Sequence, residues 1–151
     1  MSGTNIILAM DNDAEAFKIS QILSSGNWKP LTLLNWKNPQ WEIYNSENGQ
    51  GVSSGSNTSK MVDTASLDLI SVDLIIMDEK LQENLHLKTF VDQLNNINST
   101  NSIPLILITS DCNAERIDLK ENEICLSRPF KPRELLLTAE SAFYKKTWKW
   151  R

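Results

Sequence analysis

Short apolar runs that alternate with amphipathic stretches predict an α/β fold, a doubly wound parallel sheet with helices on both faces. Two further observations support that class. The apolar runs are continuous, not alternating, as in strands buried on both sides. Several of them stop at Asp, Thr or a residue close to Arg, and in such a sheet the carboxyl ends of the strands form the ligand-binding rim.

The elements follow in order. Ile6-Ile7-Leu8-Ala9-Met10 is the first strand and ends at Asp11-Asn12-Asp13. Asp13 suits the N-cap of a helix in which Ala16, Ile19, Ile22 and Leu23 share a face, and Ser24-Ser25-Gly26-Asn27 closes it. Leu31-Thr32-Leu33-Leu34 is a second strand. From about 35 to 60 the chain turns rich in Asn, Ser and Gly, a composition that cannot offset the entropy of ordering, so a mobile insertion is expected. Trp36, Trp41, Ile43 and Tyr44 at its start are expected to pack on the domain, as an extra strand or a lid.

A short helix is predicted from Met61 to about Ile70, with Met61, Ala65 and Leu69 on one side. Val72 to Met77 is the third strand and ends at Asp78. Leu87, Phe90, Val91 and Leu94 give the inward face of a helix over Leu85–Leu94. Ile103 to Ile108 is the fourth strand, ending at Thr109-Ser110, and a weak helical segment spans Ala114–Leu119. Ile124-Cys125-Leu126 is a short fifth strand leading to Ser127-Arg128-Pro129-Phe130. Pro132 suits the first position of a last helix with Leu135, Leu136, Ala139, Ala142 and Phe143 inward.

Length and composition bound the function. The 151 residues suffice for one domain with one core, here 1–151 with the insertion at about 35–60. A net charge of −4 argues against direct binding of nucleic acid. No apolar run reaches the roughly 20 residues of a membrane helix. The N-terminus lacks a signal-peptide pattern, which points to the cytoplasm. Cys112 and Cys125 are too few and too irregular for a disulfide framework or a zinc site, so two reduced thiols are expected. His86 reads as a surface or helix residue. Two Trp among Lys and Arg at the C-terminus read as a helix end whose rings cap the core.

The strand ends bring Asp11, Asn12, Asp13, Asp78, Thr109 and Arg128 to one rim. Carboxylates, a hydroxyl and a fixed cation around one crevice suit phosphoryl transfer. Asp78 would be the nucleophile that forms an acyl phosphate. Thr109 would hydrogen-bond a phosphoryl oxygen, and Arg128 would pair with the phosphate or with free Asp78. Mg²⁺ would be held by carboxylate and water oxygens.

Four segments carry a family resemblance: Ile7-Leu8-Ala9-Met10-Asp11-Asn12-Asp13-Ala14-Glu15, Asp73-Leu74-Ile75-Ile76-Met77-Asp78, Ile103 to Ser110, and Leu126-Ser127-Arg128-Pro129-Phe130. In that order and spacing they resemble the receiver domain of two-component response regulators. The resemblance implies a flavodoxin-like sheet of five parallel strands in the order 2-1-3-4-5. It implies a phosphoacceptor at Asp78 and Mg²⁺ ligands at Asp11, Asn12, Asp78 and the backbone carbonyl of Lys80. It also implies a histidine kinase or phosphotransfer protein as donor, a downstream protein partner, a homodimer as one signalling form, and no enzymatic turnover.

The departures are specific. Receivers carry a second acid where this chain has Asn12, which loses a charge and weakens metal binding. Their lysine is Arg128, whose planar fork is not equivalent. Their switch aromatic falls at Cys125, and Glu79 to Asn84 replaces their Pro-Gly-rich loop. Two readings therefore stand side by side: a phosphoacceptor with an altered metal site and switch, or a pseudo-receiver that acts as an interaction module. Asp11-x-Asp13 also has the form used by haloacid-dehalogenase-type phosphatases, but that scheme leaves Asp78 without a role. A flavin site would need a phosphate-cradling loop where the chain places acids.

Overall fold

A computed structural model of the chain describes residues 4–26, 31–37, 40–46, 59–63, 72–97, 103–113 and 119–148. The strands are β1 (Thr4–Ala9), β2 (Leu31–Lys37), β3 (Gln40–Ser46), β4 (Ser59–Asp63), β5 (Leu74–Asp78), β6 (Leu105–Thr109) and β7 (Glu123–Ser127). The helices are α1 (Asp13–Ser24), α2 (Leu85–Ile97) and α3 (Pro132–Trp148), with a 3-10 turn at Glu79–Leu81.

The sheet runs β4-β3-β2-β1-β5-β6-β7. Its five parallel strands, β2-β1-β5-β6-β7, have the predicted order. The sheet is nevertheless mixed and seven-stranded, because β3 pairs antiparallel with β2, and β4 with β3. The expectation of a mobile insertion is corrected for the two segments that build this hairpin; residues 47–58 lie outside the described residues. Trp41 faces Trp36 on β2 and Val62 on β4, and is fully buried against Phe90 with ring centroids 5.0 Å apart. Trp41, Ile43 and Tyr44 are strand-favouring residues, and burial of the large rings against the neighbouring strand holds the segment in the sheet.

The same pairing overturns the helix predicted from Met61. Met61 lies in β4 opposite Glu42 and is half exposed. The rest of that predicted helix, from 64 to 71, lies outside the described residues, as do residues 114–118 of the weak helix and 149–151 of the tail.

The parallel strands inside the sheet feed two cores, which is why their apolar runs are unbroken, while edge strand β7 packs on one through Ile124 and Leu126. Ile6, Leu8, Leu74, Ile76, Ile106 and Ile108 point to the face covered by α1 and α3, through Ala16, Ile19, Leu23, Leu135, Ala139 and Ala142. Ile7, Ala9, Ile75, Met77 and Leu107 point to the opposite face, covered by Leu87, Phe90 and Leu94 of α2. These are the helix faces the periodicity predicted, and His86 is exposed on α2 as expected. Among the described residues, no helix is long and apolar enough to cross a membrane.

Two local expectations are corrected. Asn12, not Asp13, caps α1: its Oδ1 accepts the Glu15 N–H at 3.0 Å. The shift leaves Asp13 and Glu15 in the first turn, where the helix dipole favours anions. The cysteines are not reduced thiols. Cys112 and Cys125 form a disulfide with their Cα atoms 5.9 Å apart. The sequence alone gave no sign of it, because β6 and β7 are parallel neighbours and bring together two segments that only the sheet order places side by side.

Candidate functional site

The chain reverses direction across the sheet between β1 and β5, the place where an open α/β sheet opens a crevice at its carboxyl rim. A cleft of ≈ 590 Å³ lies there, lined among others by Asp11, Asn12, Asp78, Lys80, Ser110 and Arg128. The register explains the convergence. Ala9 pairs with Met77, Asp78 with Ile108, and Thr109 with Ser127, so the ends of four adjacent strands come level.

Asp78 ends β5 with only 2% of its surface exposed. Burial of a carboxylate demands compensation. Its Oδ1 accepts the Lys80 N–H at 2.9 Å, and its Oδ2 accepts Nη2 of Arg128 at 2.7 Å. Arg128 reaches the rim from the turn after β7, where the Arg128–Pro129 peptide is cis. Its backbone N–H donates to the Thr109 carbonyl at 2.8 Å. The guanidinium also donates from Nε and Nη2 to both carboxylate oxygens of Glu15, each at 2.8 Å. That two-pronged bond raises the pKa of Arg128 above its ordinary value; partial burial opposes the shift, and the Asp78 charge adds to it.

Thr109 is completely buried, and its hydroxyl donates to the carboxylate of Glu79. The Asp111 N–H in turn donates to Thr109 Oγ1 at 3.3 Å. Lys80 turns outward, its ammonium 3.8 Å from Asp11. Asp13 is largely exposed and pairs with Lys37 at 3.2 Å, away from the residues around Asp78.

Asp78 and Arg128 are thus in direct contact, and Thr109 sits beside them through the β6–β7 register and Glu79. The proposed metal ligands are arranged differently. Asn12 Oδ1 serves the helix cap, both Asp78 oxygens already accept hydrogen bonds, and Asp11 faces an ammonium. Lys80 contributes its N–H and ammonium to these acids. Among the described residues, no group of three or more His, Cys, Asp or Glu could hold a metal ion. In this arrangement the side-chain oxygens that an Mg²⁺ site would draw on are engaged by donors of the chain itself.

Sequence reasoning missed Glu15 and Glu79 as members of the site. The spacing held a signal for Glu15: it lies four residues past Asp11, one turn into α1, and so returns to the same rim. Glu79 directly follows Asp78, but only the 3-10 turn, begun by Asp78 accepting the Lys80 N–H, swings it over Thr109.

No protein-family model matches the chain, and no curated protein matches its sequence. Solved structures do match it. A response regulator receiver domain protein from Bacillus halodurans superposes with a TM-score of 0.53 at 18% identity, covering 93% of this chain and 97% of that one. A response regulator receiver protein from Sinorhizobium medicae superposes with a TM-score of 0.57 at 12% identity, covering 95% and 96%. At these identities the likeness is one of fold: the chain has the architecture of receiver domains over nearly its whole length.

Proposed function

We propose that this receiver-like chain is a signalling module acting through protein contacts, with the pocket around Asp78 serving as a fixed ionic clasp. One observation carries the reading: the groups that phosphoryl transfer would employ are already engaged by the chain itself. Asp78 is bound by Arg128 and the Lys80 N–H, Arg128 is held by Glu15, and the Thr109 hydroxyl is taken by Glu79. A phosphoryl group would have to displace a bidentate charged pair and a buried hydrogen bond before reaching its contacts. Asn12 removes one of the charges that would recruit a divalent cation. The partner is a protein, in keeping with an acidic chain, and the compartment is the cytoplasm.

A second reading is favoured by the convergence of a carboxylate, a hydroxyl and a guanidinium from three strand ends on one rim. In it Asp78 accepts a phosphoryl group from a histidine kinase or phosphotransfer protein after the clasp opens. The added charge then alters a surface read by a downstream partner or a second copy of the chain. Incubation with acetyl phosphate or phosphoramidate and Mg²⁺, followed by intact-mass measurement, separates the two. The clasp reading expects no mass gain. A phosphoryl adduct lost in Asp78→Ala would replace it with the second reading.

A further inference from the structure

We propose that the Cys112–Cys125 disulfide is a thiol-based switch acting on the cleft through the two residues that flank it, Thr109 and Arg128. Cys112 lies three residues past Thr109, and Cys125 three residues before Arg128. The bond therefore ties the loop leaving β6 to β7, just below the rim. Thr109 and Arg128 are also tied to each other, by the Arg128 N–H on the Thr109 carbonyl and by the pairing of Thr109 with Ser127. Backbone pairing on one side and the disulfide on the other close a small ring. Ser110, which lines the cleft, is a member of that ring.

The bond is placed for exchange. Cys112 is exposed and Cys125 half-buried, on a strand at the edge of the sheet, so a thiolate can approach. A dithiol reductant attacks one sulfur, passes through a mixed disulfide, and leaves as its own disulfide. It gives up two electrons and two protons, and both cysteines become thiols. A disulfide oxidant reverses the step. Cleavage removes one of the two restraints on Ser110 and on the edge strand that delivers Arg128. Such exchangeable bonds are the kind expected in a reducing compartment. The inference rests on the fold and these contacts, and holds whether or not Asp78 accepts phosphate.

Backbone amide resonances of the intact chain, oxidised and then treated with dithiothreitol, test it. Reduction is expected to displace Thr109, Ser110 and Arg128 and to speed hydrogen exchange at the Arg128 amide at least tenfold. Cys112→Ser should reproduce the reduced spectrum, and oxidised glutathione, after removal of the dithiothreitol, should restore the first one in the wild type alone. Changes confined to the residues flanking the two cysteines would overturn the proposal and leave a passive staple. Two alkylatable thiols in protein equilibrated with excess oxidised glutathione would overturn it as well. If Cys112→Ser does not fold, the reduced and reoxidised wild type carries the same comparison.

Discussion

Asp78 and Arg128 show how one buried charge organises its surroundings. A carboxylate at the end of a fully buried strand needs a cation and a donor, and the chain supplies both from segments 50 and 2 residues away. Arg128→Met should strand Asp78 without its cation and destabilise the fold by about 3–5 kcal/mol at neutral pH. Urea titration checks this. Glu15→Gln should cost less, because the Asp78 bond survives it. Tyr44 gives a pH signature. Burial, with a contribution from Glu42, pushes its hydroxyl up to about 12 from 10.0. A raised folded-state value means that this stability is complete below pH 10 and is lost as pH climbs toward 12. Tyr44→Phe should flatten that alkaline decline, a difference of about 1–2 kcal/mol after solvent screening. Denaturant midpoints measured across pH 9–12 would reveal it.

At the level of elements, the β3–β4 hairpin has the clearest consequences. Trp41 is its anchor, with ring centroids 4.9 Å from Trp36 and 5.0 Å from Phe90. Trp41→Ala should cost about 3–5 kcal/mol. Hydrogen exchange should show amide protection lost in β3 and β4 while β1 and β5 keep theirs. The same hairpin marks the limit of what could be read from the residues. Strands such as Ile6–Met10 and Val72–Met77 were legible because two-sided burial writes an unbroken apolar run into the sequence. Trp41, Ile43 and Tyr44 allowed an extra strand, which β3 is, but gave it no partner, and Lys60-Met61-Val62 carries no apolar run at all. They become strands because β2 offers them an edge, and pairing partners distant in sequence leave no local periodicity. Site residues divide in the same way. Asp78, Thr109 and Arg128 follow from strand ends, whereas Glu79 depends on a single 3-10 turn and the disulfide on which strands are neighbours.

At the scale of the whole molecule, the parallel sheet is the frame and the edges are where this chain departs from it. One edge carries the added hairpin and the other carries β7, cross-linked by Cys112–Cys125. A loop of this size is stabilised by about 3 kcal/mol when closed by a disulfide. Cys125→Ser should lower the thermal midpoint by several degrees, and by no more than reduction lowers that of the wild type. Differential scanning calorimetry with and without reductant compares the two.

Asn12 occupies a position with two possible employments, and the structure assigns it to starting a helix. Aspartate performs that task equally well and gains from the positive end of the helix axis. Asn12→Asp is thus a replacement the scaffold tolerates without rearrangement, and it adds negative charge at the mouth of the crevice. One codon change therefore alters the charge at the mouth of the cleft while the start of α1 keeps its geometry.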